Sequence, residues 1–131
     1  MDDLINNFVE LRLEKELNAF TVKFLAFTPY DNFMEIVNHE YELITKYQLR
    51  KCIVDLRLIP TYDIGMPEYV KDVWFPTVSK LGIQNIAFIV PKAALGKISM
   101  GRAHGSSEII ADMNVAHFDN FDGGLNWLKE R

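Results

Sequence analysis

Cysteine is nearly missing from this chain: Cys52 is the only one in 131 residues. A lone thiol excludes an internal disulfide and any zinc site built on cysteines. Long apolar runs are missing too, and none approaches the roughly 18 residues that a membrane-spanning helix needs. The opening residues, Met1-Asp2-Asp3-Leu4-Ile5-Asn6-Asn7, have neither the basic start nor the apolar stretch of a secretory leader, so a cytoplasmic location is expected. Positive charge is in short supply, with 14 Lys and Arg against 18 Asp and Glu and a net charge of −4. Cations never gather beyond the pair Arg50-Lys51, so no stripe is available to hold a phosphate backbone. Nucleic acid and anionic membranes are therefore not expected as partners. His39, His104 and His117 are the only histidines, and no two have ligand spacing; neither a metal nor a cofactor is expected.

Apolar residues make up 49% of the chain, enough to fill a core without a staple. One domain, residues 1–131, follows from the length and from the lack of any linker or repeat. Val9, Leu11 and Leu13 alternate with Glu10, Arg12 and Glu14, the period of a half-buried strand. After a turn at Asn18 comes Phe20-Thr21-Val22-Lys23-Phe24-Leu25-Ala26-Phe27, a second strand close enough to form a hairpin. Thr28 as cap and Pro29 at the first position open a helix carrying Phe33, Ile36, Val37, Tyr41, Ile44 and Tyr47. Cys52-Ile53-Val54-Asp55-Leu56 reads as a parallel strand covered on both faces.

A loop over 57–66 leads to a helix opened by Pro67, with Val70, Val73, Trp74, Val78 and Leu81 as its apolar stripe. Pro76 lies inside that stripe and predicts a kink. Gly82 caps the helix. Ile86-Ala87-Phe88-Ile89-Val90 is the next buried strand. A short helix over 106–113 is expected from Ser106 and Glu108. Val115-Ala116-His117-Phe118 is a last strand, and Asp119-Asn120 caps a final helix bearing Phe121, Leu125, Trp127 and Leu128. The order β-β-α-β-α-β-α-β-α implies an α/β fold: a mostly parallel five-stranded sheet with one antiparallel edge strand. The amphipathic first strand is then an exposed edge through which a homodimer can form.

No catalytic constellation emerges. Cys52 begins a core strand, where a free cysteine is usually structural. Asp55 and Asp63 flank the loop at the carboxyl end of the third strand, where open parallel sheets commonly bind ligands. They suit acid–base chemistry or turn capping equally well. The segment 96–107 combines Gly96, Gly101 and Gly105 with Lys97, Arg102 and His104, a mixture suited to an anion or to a plain surface loop. It is not a P-loop, since Ile98 follows Lys97. Trp74 and Trp127 fall on apolar stripes as core residues, with Phe75 beside the stripe. Gly123-Gly124 costs about 2 kcal/mol of helix propensity, which close packing on the sheet would explain.

The hairpin, Ile53-Val54-Asp55-Leu56-Arg57, the tract from Trp74 to Gly82 leading into Ile86-Ala87-Phe88-Ile89-Val90-Pro91, and the ending Phe118-Asp119…Leu125-Asn126-Trp127-Leu128 together resemble the SpoIIAA-like superfamily. That group contains the STAS domains and a branch of single-domain bacterial proteins. The resemblance covers residues 8–129 and implies a regulatory or protein-interaction module without enzymatic activity. It places Asp63-Ile64-Gly65-Met66 at the turn where STAS regulators carry Asp-Ser-Ser-Gly, so the phosphorylatable serine is absent and Thr61 lies off position. The implied contact face comprises Arg57, Thr61, Tyr62, Asp63 and Tyr69, with Arg102 and His104 from the later loop. The same fold is similar to Sec14-type lipid-binding domains, which raises a small apolar or anionic ligand as the alternative. Tyr62, Met66, Tyr69 and Met100 would line its pocket or else seal the top of the core. A small enzyme using Asp55, Asp63 or His104 is the third reading.

Overall fold

The computed structural model describes residues 2–59, 65–95 and 108–131. Its seven strands are β1 (Leu4–Ile5), β2 (Val9–Glu14), β3 (Ala19–Phe24), β4 (Lys51–Asp55), β5 (Asn85–Ile89), β6 (Glu108–Ile110) and β7 (Met113–Phe118). They form one sheet in the order β1-β2-β3-β4-β5-β7-β6. The helices are α1 (Tyr30–Tyr47), α2 (Met66–Tyr69), α3 (Phe75–Leu81) and α4 (Phe121–Lys129), and a wide π-helical turn, Val70–Trp74, joins α2 to α3. The expected α/β class holds. Strands β3, β4, β5 and β7 run parallel, and the hairpin β2–β3 extends that block antiparallel.

The sheet is larger and more mixed than the expected five strands. β1 pairs antiparallel with β2, Leu4 opposite Leu11, so β2 is not the free edge that its pattern suggested for dimer formation. On the other side β6 pairs antiparallel with β7. It begins inside the stretch expected to be helical from 106 to 113. Ile110 lies opposite Met113, and Ala111 and Asp112 between them both have positive φ, 50° and 68°. Two left-handed residues in a two-residue loop give the twist that an antiparallel hairpin needs. The usual signal is Asn-Gly, and Ala-Asp hides it.

The β2–β3 hairpin turns where expected, with Asn18 left-handed at φ 58°. Helix α1 starts one residue later than its cap signals suggest. Thr28 is buried and donates its hydroxyl to the Ala26 carbonyl at 3.1 Å instead of capping. Pro76 does not break its helix. The chain absorbs it by winding the preceding turn wide, so that the Phe75 N–H reaches the Val70 carbonyl. The wide turn also moves the stripe: Met66, Trp74 and Val78 are buried, while Val73, expected inside, is exposed.

Side chains alternate between two cores. Helices α1 and α3 cover the face carrying Val9, Leu11, Phe20, Val22, Cys52, Val54, Ile86 and Phe88. Helix α4 covers only the middle of the other face, where Leu128 packs on Ile53, Ala87 and Ile89. Burying that leucine contributes roughly 2 kcal/mol. Asn120 caps α4 through its side-chain oxygen, 2.7 Å from the Gly123 N–H, and Lys51 donates to the Leu128 carbonyl at the far end. Gly124 explains the glycine pair: a Cβ there would sit 2.6 Å from Ile89 Cδ1. Trp127 is only half-buried, packed on Phe118 with the Arg131 guanidinium 4.3 Å above its ring. No helix among the described residues is long and apolar enough to cross a membrane.

Candidate ligand-binding site

Helix α1 places Phe33, Val37 and Glu40 on one stripe, at the spacing of successive turns. That stripe faces the carboxyl ends of the parallel strands, where Phe24 closes β3, Val54 lies one residue from the end of β4, and Phe88 holds the same place in β5. The segment from Met66 to Phe75 closes the third side. Between these walls is a cavity of about 310 Å³, within the range that takes small organic ligands. Its wall is aromatic and aliphatic almost throughout. Trp74, Phe75 and Phe88 form one mutually packed group with ring centroids 5.2–6.3 Å apart. Phe24 and Phe33 form a second, 6.3 Å apart, and Tyr69 meets Phe33 edge-on.

One carboxyl group stands in this apolar wall. Glu40 is 2% exposed, and its Oε1 accepts a hydrogen bond of 2.8 Å from Trp74 Nε1. Burial pushes its pKa up to about 8, against the smaller opposing effect of the indole bond. At neutral pH the group is mostly the uncharged acid, which is how a carboxyl tolerates an apolar site. Nearby groups stay neutral as well. Burial, then the Glu40 charge, holds the Cys52 thiol well above its usual range, so Cys52 is a structural residue with no reactive thiolate. Burial and a 2.9 Å hydroxyl–hydroxyl bond with Tyr69 raise the Tyr41 phenol.

Of the residues expected to form a contact face, Arg57 and Tyr69 are described. Arg57 turns back on the strand it follows: Nε donates to Asp55 Oδ1 at 3.0 Å and its terminal nitrogen to Oδ2 at 2.7 Å. The Arg57 backbone N–H adds a third bond to Oδ1. The Asp55 carboxylate is thus spent on fixing its own loop, which leaves it poorly placed to act as a general base. Tyr69 supports the cavity wall through Phe33 and Tyr41. Met66 lines the cavity, so it does more than seal the core. Thr61, Tyr62, Asp63, Met100, Arg102 and His104 lie outside the described residues, and with them the Gly96–Gly105 loop as an anion site. Among the described residues no group of three or more His, Cys, Asp or Glu is arranged to hold a metal ion.

Glu40 was not among the residues that the sequence singled out. Its signal was present: 33, 36, 37, 40 and 44 share one helical face, and 40 is the charged position on it. Comparison of the chain with protein-family models and with curated proteins gives no match.

Proposed function

We propose that this domain binds a small, largely apolar molecule in the cavity between α1, the helical segment from Met66 and the strand ends, in a cytoplasmic role without catalysis. The observation that carries this reading is the cavity itself: about 310 Å³ of space in the better-covered half of the domain, walled by aromatic rings. An engineered apolar cavity of roughly 150 Å³ takes benzene, so a molecule of about a dozen non-hydrogen atoms suits this one. The site also lies at the strand ends where open parallel sheets usually hold ligands. Native mass spectrometry of freshly purified protein tests it, together with titration of a naphthalene probe. Saturable binding that is lost in Val70→Phe, whose ring would occupy the space, supports the reading. Equal binding by Val70→Phe, or no binding by the wild type, defeats it.

A second reading, the interaction module implied by the SpoIIAA-like resemblance, is favoured by a separate observation. Phe27 and Leu58 follow the ends of the neighbouring strands β3 and β4, and both are exposed, at 41% and 52%. Apolar side chains so placed suit a protein contact at the same rim. Affinity capture with the wild type and a Phe27→Ser/Leu58→Ser variant tests this. Identical captured proteins from both would count against it.

A further inference from the structure

Within the ligand-binding reading, on which this inference rests, we propose that Glu40 is the polar anchor of the cavity: as the neutral acid it donates one hydrogen bond to a ketone, aldehyde or ester carbonyl on an otherwise apolar ligand.

The geometry assigns the two carboxyl oxygens different work. Oε1 accepts from the Trp74 indole, a donor with no other state, so in the neutral acid the proton belongs on the second oxygen. The acid borders the cavity from the middle of α1, flanked along its stripe by Phe33 and Val37. Of the described side chains in the wall, only Lys71 is also titratable, and it is solvent-exposed. The Trp74 N–H is already engaged. Among the described side chains, Glu40 is therefore the one buried group in this wall with an unengaged proton to offer.

Neutral acceptors match that donor. A cationic ligand would require the carboxylate, which the apolar wall disfavours, and a hydrocarbon would leave the acid facing nothing it can bond. A buried carboxylic acid kept neutral by an apolar site is a known way to grip a carbonyl oxygen. Ionisation of Glu40 removes the donor. Cys52 on β4 and Tyr41 on α1, which is hydrogen-bonded to Tyr69 on α2, do not confuse that titration, because burial holds both the thiol and the Tyr41 phenol protonated.

The experiment compares methyl naphthyl ketone with isopropenylnaphthalene, which replaces C=O by C=CH₂ at nearly the same size. Calorimetric titration at about pH 6 should show the wild type binding the ketone about tenfold more tightly, the worth of one net hydrogen bond. The preference should vanish at about pH 9.5. Glu40→Gln, whose amide still donates, should keep the preference at both pH values, which also shows that the fold persists in alkali. Glu40→Leu should bind both compounds alike. Equal affinity of the two compounds for the wild type at the lower pH overturns the anchor while leaving the cavity as a binding site. A ketone preference that survives at the higher pH in the wild type, or in Glu40→Leu, overturns it too. If neither compound binds at any pH, the ligand-binding reading fails and takes the anchor with it.

Discussion

The two faces of the sheet are built from the same strands by opposite means. Under α4 the contacts are close: Gly124 lets the helix approach until Ile89, Ala87 and Phe118 lie directly against its backbone. Under α1 and α3 the side chains are large and aromatic, and they hold the helices far enough from the strand ends to leave a cavity. Small residues bring backbones together, while bulky rings that cannot interdigitate completely keep space open. One face is therefore committed to stability, and the other gives up part of its packing to the site.

The contrast can be tested where its expected effect is largest, at Glu40. The folded protein keeps this proton up to about pH 8, whereas the unfolded chain releases it near the ordinary value of 4.5. Between those values the folded state binds more protons, so stability falls as pH rises, and the contribution is lost above about pH 8. Relative to Glu40→Gln, the wild type should lose roughly 3–5 kcal/mol over that interval, measured by urea unfolding across the pH range. Parallel curves for the two proteins would show that the cavity face holds no neutral acid.

Next in size is the packed face. Gly124→Val should cost about 2–3 kcal/mol, because its side chain must displace Ile89. Thermal unfolding measures this, and a neutral result would mean that α4 does not sit as close as described. Asn120→Ala, which removes the α4 cap, should cost about 1 kcal/mol in the same assay. The smallest effect belongs to the open face: Val70→Phe should change stability by less than about 1 kcal/mol, since space already exists for the ring. A penalty as large as that of Gly124→Val would erase the distinction between the faces.

The tight face was the more legible of the two in the sequence. Gly123-Gly124 inside a helical pattern has few explanations besides close approach, and Asn120 is a strong cap. The hairpin at Asn18 and the buried runs of β4 and β5 were equally plain, because period and turn chemistry agree there. The open face was harder to read. A cavity is a property of side chains from α1, β3, β4, β5 and the helix after Gly65 meeting in space, and no local pattern records it. Glu40 was visible as a charge on an apolar stripe, yet such a residue gains meaning only when its neighbour across the gap, Trp74, is known. β6 escaped because Ala111-Asp112 adopts a turn that its composition does not announce.

The wide turn at Val70–Trp74 has a consequence for how the site can vary. It carries one residue more than an α-helical turn, and each residue advances an α-helix by about 100°. Rewinding the same residues as an ordinary α-helix, with Met66 and Pro67 kept in place, would swing the indole roughly a quarter-circle away from Glu40. The acid would lose its fixed partner, and with it the assignment of one oxygen to the protein and the other to the guest. An apparent defect in winding thus sets the angular alignment on which the chemistry of the cavity depends.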